Sequence, residues 1–348
     1  SGYTYRQIAD CCNEAYPKAG MIMTAGKNAS VSGFLMQYQE TDWAFLKRLA
    51  SSLHTMLVPS CAVIGEKYFF GIPEKRAEGN LDTENYTVIQ ENTGNQNRAN
   101  KGISICYRVS SRECYSLGDY MIFHGEKCYI WKMETIWKGN ELWHTYDLKK
   151  KEALWVPQIY QNELIGLSLM GRVNAIEKEQ VQVCLEDDEN HQSGNCWFAF
   201  STVYSSPDGT GWYCMPEKGD AVRLYFPTEK EENAFVSSAF HENTGAGLRT
   251  KPEIKRWRNK EGKEICLTPE KILITNNCGM SVELSEQRGI KVKSNASVNI
   301  EASENIYISS SGASLEFAAA NKIVFQQGNS TMELSDGIKL AGSTVKIQ

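Results

Sequence analysis

Histidines, paired carboxylates, cysteine pairs and glycine-rich loops are the groups that could carry chemistry in this 348-residue chain. The five histidines, His54, His124, His144, His191 and His241, show neither HExxH nor His-x-His spacing, so no local pattern offers two imidazoles to one metal. Glu40 and Asp42 could act as an acid pair. The same two charges at the start of a helix would simply favour its dipole, and we adopt that reading. Glu186-Asp187-Asp188-Glu189 has the charge for calcium but lacks the alternating ligands and central glycine of an EF-hand loop, so it reads as a solvated hairpin loop. Gly245-Ala246-Gly247 lacks the strand-then-helix context of a dinucleotide site and reads as a flexible link. Neither a GxSxG elbow nor a phosphate-binding loop is present. The eleven cysteines include the adjacent Cys11 and Cys12 but no CxxC pair, which argues against structural zinc. They read as reduced, mostly buried thiols in a protein made in a reducing cytoplasm, with extracellular disulfides as the alternative. Together these features predict no catalytic residue, no cofactor and no bound metal.

The elements that would position side chains are mostly strands. Tyr5–Tyr16 reads as a helix ending at Pro17. A second helix starts near Thr41 or Asp42, with Trp43, Leu46, Ala50 and Leu53 on one face. Lys67–Ile72 is a short strand, and the polar stretch from Glu74 to Lys101 reads as an exposed excursion. Asp119–Trp131 and Thr135–Asp147 read as hairpins turning at His124-Gly125 and Lys138-Gly139-Asn140. Leu167–Ile176, Gln180–Leu185, Cys196–Val203, Ala221–Phe226 and Ala234–Phe240 make five strands, the count and size of an OB-type barrel.

The last third repeats one small unit. Apolar pairs flanking a single residue recur about every eight positions. They are Ile265/Leu267, Ile272/Ile274, Val282/Leu284, Ile290/Val292, Val298/Ile300, Ile306/Ile308, Leu315/Phe317, Ile323/Phe325, Met332/Leu334, Ile338/Leu340 and Val345/Ile347. Period two puts both members of a pair on one face of a short strand. One such coil is too short to surround a core, since a monomeric solenoid needs roughly 20 residues per turn. The pattern fits one side of a prism whose other sides come from two further chains. An ordinary β-sandwich with short strands is the alternative.

Three segments resemble one family. QYQETDWAFLKRLA (37–50) followed by KYFFGIP (67–73) resembles the hub domain of VgrG-type and phage late-control proteins. GWYCMPEKGDAVRLYFP (211–227) resembles their OB domain, and RWRNKEGKEICLTPEKILI (256–274) is similar to the entry into their β-helical needle. The resemblance implies a mainly β fold: a hub-like β-barrel domain with two helices over 1–162, an OB-fold collar over 163–241, a basic neck over 242–263 and an intertwined trimeric β-helix over 264–348. It implies the structural spike of a contractile injection system, joining a tail tube to an envelope-piercing needle. The implied partners are two further copies of the chain, tail-tube and baseplate proteins, a PAAR-type tip protein or effector, and the target cell envelope. The pairs from Val282 to Ile347 would form the trimer core, with Val345, Ile347 and Gln348 at the tip-protein dock. The family pattern also leads us to expect that the chain begins inside the hub domain. Synthesis in a bacterial cytoplasm and outward delivery on contraction complete the expectation.

Two rival functions remain open at this stage. A tail enzyme that degrades cell-wall or surface glycan would need a cleft with paired carboxylates. A non-injecting trimeric adhesin would need no particle. Nucleic acid is disfavoured, because Glu163 to His241 holds 13 acidic against 5 basic residues, a formal charge of −8. Arg249, Lys251, Lys255, Arg256, Arg258, Lys260 and Lys263 form a basic connector that reads as a solvated neck.

Overall fold

A computed structural model describes residues 2–60, 63–79, 81, 84–92, 103–189, 193–242 and 247–344. The protein is mainly β, as expected, and divides into two compact units, Ser1–Thr244 and Gly245–Gln348. The sequence-based limit between residues 162 and 163 lies within the first unit.

Helix α1 (Tyr5–Glu14) opens on a capping box: Thr4 Oγ1 accepts from Gln7 N at 3.2 Å while Thr4 N donates to Gln7 Oε1 at 2.9 Å. Helix α2 (Asp42–Ser51) is capped by Thr41, whose hydroxyl accepts from Ala44 N. Its buried face runs through Phe45, Leu46, Leu49 and Ala50. Trp43, expected on that face, lies at its margin with its ring edge-on to Tyr68. The helices pack with β1 (Gly20–Met23), β2 (Leu57–Pro59) and β3 (Lys67–Phe70), ordered β1-β3-β2, around Met23, Tyr68 and Phe70.

A second sheet holds β4 (Tyr86–Asn92), β5 (Ile103–Ser111), β6 (Tyr120–Phe123), β7 (Glu126–Lys138) and β8 (Glu141–Lys150), ordered β4-β5-β8-β7-β6. The two expected hairpins share the single long strand β7. A shift in register between Ile130 and Lys132 lets Trp131 bulge without ending the ladder. Strand β4 lies inside the polar stretch expected to be an excursion, and its backbone pairs along β5. Buried Val109, Phe123, Ile130, Tyr146 and Leu148 form the core.

A third sheet is built from β9 (Ser168–Glu177), β10 (Gln180–Leu185), β11 (Trp197–Ala199), β12 (Ala221–Tyr225) and β13 (Phe235–Phe240), ordered β11-β10-β9-β12-β13. Gly171 lets β9 approach β10: a Cβ there would sit 2.4 Å from Val183 Cγ1 and 2.7 Å from the Cys184 carbonyl oxygen. Val222, Leu224, Phe226 and Val236 are fully buried beneath it. No helix among the described residues is long and apolar enough to cross a membrane.

The second unit is a meander. Strands β14 (Lys255–Arg258), β15 (Glu264–Leu267), β16 (Lys271–Thr275), β17 (Ser281–Ser285) and β18 (Gly289–Lys293) pair antiparallel in chain order. Strands β19 (Ile323–Gln327), β20 (Ser330–Leu334) and β21 (Ile338–Ala341) form a three-stranded counterpart. The basic segment expected to be a neck thus contributes the first strand of the meander.

Candidate functional site

The groups flagged for chemistry are dispersed. His54 stacks on Trp155 with ring centroids 4.5 Å apart, and its Nδ1 lies 3.1 Å from the Val156 carbonyl oxygen. His124 packs against Phe123 and Tyr86. His144 is buried with Nδ1 2.8 Å from Thr135 Oγ1. His241 is exposed, while His191, Cys61, Gly245 and Ala246 lie outside the described residues. Glu40 and Asp42 serve separate partners: Glu40 accepts from Arg48, and Asp42 accepts from Tyr16 Oη and Gln37 Nε2, each at 2.8 Å. In the acidic loop, Asp188 Oδ2 accepts from Ser193 N and Glu186 pairs with Arg172. Among the described residues, no group of three or more His, Cys, Asp or Glu side chains could hold a metal ion. The described cysteines form no disulfide. Burial pushes the Cys12 thiol up to about 12, with Asp42 adding to the shift, and pushes Cys128 up to about 11. Both therefore stay protonated and weakly nucleophilic near neutrality.

The repeat surface is the strongest candidate. Directly paired residues of antiparallel strands share a face, so the register defines two rows across the five-stranded sheet. One row is Trp257, Ile265, Ile274, Val282 and Val292; the other is Lys255, Leu267, Ile272, Leu284 and Ile290. The opposite face carries Arg256, Cys266, Leu273, Glu283 and Lys291 in one row, with Arg258, Glu264, Thr275, Ser281 and Lys293 in the next. The three-stranded sheet repeats the arrangement: Ile323, Leu334 and Ile338 align, as do Phe325, Met332 and Leu340. All the described pairs on strands therefore fall on single faces.

Those faces are open. Ile290 is 74% exposed and Ile338 71%. Leu284, Val292, Phe325, Met332 and Leu340 are also exposed, whereas Val282, Ile323 and Leu334 are half-buried.

The middle of the repeat region departs from expectation. Alternation predicts further strands through Val298 and Ile300, through Ile306 and Ile308, and through Leu315 and Phe317, with all six side chains in a core shared by three chains. The single chain has no strand between Lys293 and Ile323, and all six are exposed, Ile300 by 73% and Ile308 by 57%. The missing strands have a physical reason. A ladder needs a neighbouring strand, and among the described residues this stretch pairs with none, so Ile306 and Ile308 stay about half exposed outside any sheet. Phe317 does reach the next repeat, its ring edge-on to Phe325 at 6.4 Å. Val345, Ile347 and Gln348 lie outside the described residues.

Polar contacts organise the reverse face. Glu264 is buried and accepts from Arg256 Nη1 at 2.5 Å, Arg258 Nη1 at 3.2 Å and Asn277 Nδ2 at 3.3 Å. Burial by itself would raise its pKa, but the Asn277 amide and the two guanidinium groups outweigh that and hold the carboxyl below its usual range. Two of the basic neck residues thus brace β14 against β15. Their sequence spacing gave no sign of it, because the link depends on cross-strand register.

No family model matches the chain, and no curated protein matches it. Among solved structures it is similar to chains of the Francisella PdpA–VgrG complex. The half-lidded form aligns with a TM-score of 0.35 and 9% identity over 80% of this chain and 50% of that one. The lidded form gives 0.34 and 10% over 80% and 46%, and the lidless form 0.31 and 9% over 80% and 56%. The chain spans about half the length of those chains. At these scores the likeness carries no functional weight, and the reading below rests on the repeats and motifs.

Proposed function

We propose that this chain is the structural central spike of a contractile injection system, assembling as a homotrimer whose carboxy-terminal segments wind into one needle. The observation that carries the reading is the open, in-register apolar face of the repeats. Burying each such aliphatic side chain is worth about 1.5–3 kcal/mol before ordering entropy. A partner that covers the face must also satisfy the peptide groups of the stretch from Val298 to Phe317, so it must offer strands at the same eight-residue spacing. A further copy of the chain does so at every level. Winding three copies together also removes the sheet edges that would otherwise invite aggregation.

On this reading the work is mechanical. Contraction drives the spike through an envelope, and the shared core resists bending because many contacts must break together. The hub-like and OB-like motifs support a tube-side attachment, and the far end would hold a tip protein or effector. The chain has no catalytic role in this scheme, is made in a bacterial cytoplasm and leaves it as part of a particle. A mass measurement on the full chain in solution, by light scattering or native mass spectrometry, should return three copies. A stable monomer with the apolar pairs protected from solvent would overturn the proposal. If the trimer forms, electron microscopy should find it at the end of a tail tube; a trimer never found on a particle would favour the adhesin.

A further inference from the structure

The third sheet does not close its own core. Between Gly33 and α2 the chain forms neither helix nor strand, and Phe34, Met36 and Tyr38 pack against the cluster around Val222, Leu224 and Phe226. The Phe34 ring stands 5.3 Å and 74° from Phe198 and 6.2 Å from Phe226. Leu35, the alternate residue, packs instead with the helices and the first sheet. Period-two alternation therefore inserts one short segment between two cores.

Two of its backbone carbonyls accept from side chains. Gln161 Nε2 donates to the Tyr38 carbonyl at 2.8 Å, and Arg48 Nη2 donates to the Met36 carbonyl at 2.7 Å. The same guanidinium donates to Glu40 at 2.7 Å and through Nη1 to Glu231 at 2.6 Å. Arg48 is only 6% exposed. Glu40 belongs to the segment, Arg48 to α2, and Glu231 to the turn that leads into β13. One buried cation thus joins three separate stretches of chain, and losing it would leave two partly buried carboxylates without their counter-charge.

We infer that residues 34–41 are a strap on which the third sheet depends for its order, and that Arg48 is the latch that holds strap and sheet together. Residues 163–241 have the length and strand count of a self-sufficient barrel, but the strap makes them an extension of the amino-terminal half. The inference does not depend on the proposed function.

Hydrogen exchange on the full chain tests it, using Arg48→Met to break the latch and Phe34→Ala to loosen the strap. Both variants should speed exchange at the amides of 34–41 and also of β12 and β13 by about tenfold or more, while β5, β7 and β8 keep their protection. Leu148→Ala, in the core of the second sheet, should do the reverse. If Arg48→Met does not fold, Glu231→Gln, which removes one charge at nearly constant volume, should show the same pattern more weakly. Faster exchange confined to 34–41, with β12 and β13 unchanged, would overturn the inference. So would a uniform rise across all sheets.

Discussion

Ile300 and Lys293 lie seven residues apart and should respond to charge in different ways. Ile300 belongs to the exposed apolar series, whereas Lys293 lies on the polar row with Arg258 and Glu264. Ile300→Asp would bury an unpaired carboxylate in the proposed shared core. It should shift the assembly toward monomer and lower the melting temperature, and an unchanged mass and melt would remove Ile300 from that core. Lys293→Glu should stay within about 0.5 kcal/mol of wild type. Glu264 makes a prediction about pH. Its folded pKa is depressed, so its contribution is fully present above the ordinary glutamate value of about 4.3. That contribution is lost as pH falls through the lower folded value. Glu264→Gln should cost about 2 kcal/mol near neutrality and flatten the acid limb of the stability profile. Thermal unfolding from neutral to acid pH reads both effects, and an identical acid limb in the variant would rule out the carboxylate as its source. The apolar pairs were legible from sequence because facing follows from local alternation. The Glu264 clamp was not, because Arg256 and Arg258 reach it only through pairing.

At the level of elements, the turns were the easiest to read. His124-Gly125 and Gly139-Asn140 both take positive φ, 51° and 77° for the first pair and 60° and 67° for the second. That is the backbone that two-residue hairpin loops require. Strand β4 was missed because the short apolar run Tyr86, Val88 and Ile89 sits inside a stretch rich in Asn, Gln and Glu, and its pairing is a property of β5. Ile306 and Ile308 show the converse: their alternation is clear, yet alternation alone makes no strand without a neighbour to pair with. Trp43 was misplaced because helical spacing defines a stripe but not its edge. Gly171→Ala would drive a Cβ into the Cys184 carbonyl, which belongs to the backbone of β10 and cannot step aside. We expect a loss of about 1–3 kcal/mol, visible as a lower unfolding midpoint of the first unit. An unchanged midpoint would mean that β9 and β10 can separate freely.

For the molecule as a whole, the proposed trimer would make stability depend on concentration. An oligomer is stabilised by its own copies, so the melting temperature of the second unit should rise with protein concentration. A melt that stays constant across a hundredfold dilution would contradict the shared needle. The sequence by itself determined the mainly β character, the turn positions and the eight-residue rhythm of paired apolar residues, because backbone preference and side-chain alternation are local. Only the tertiary structure decided that the barrel-sized segment rests on a strap from the amino-terminal half, and that Arg48 reaches Glu231 across 183 positions. Contacts of that kind depend on the path of the chain through space, and no short pattern of residue types encodes them.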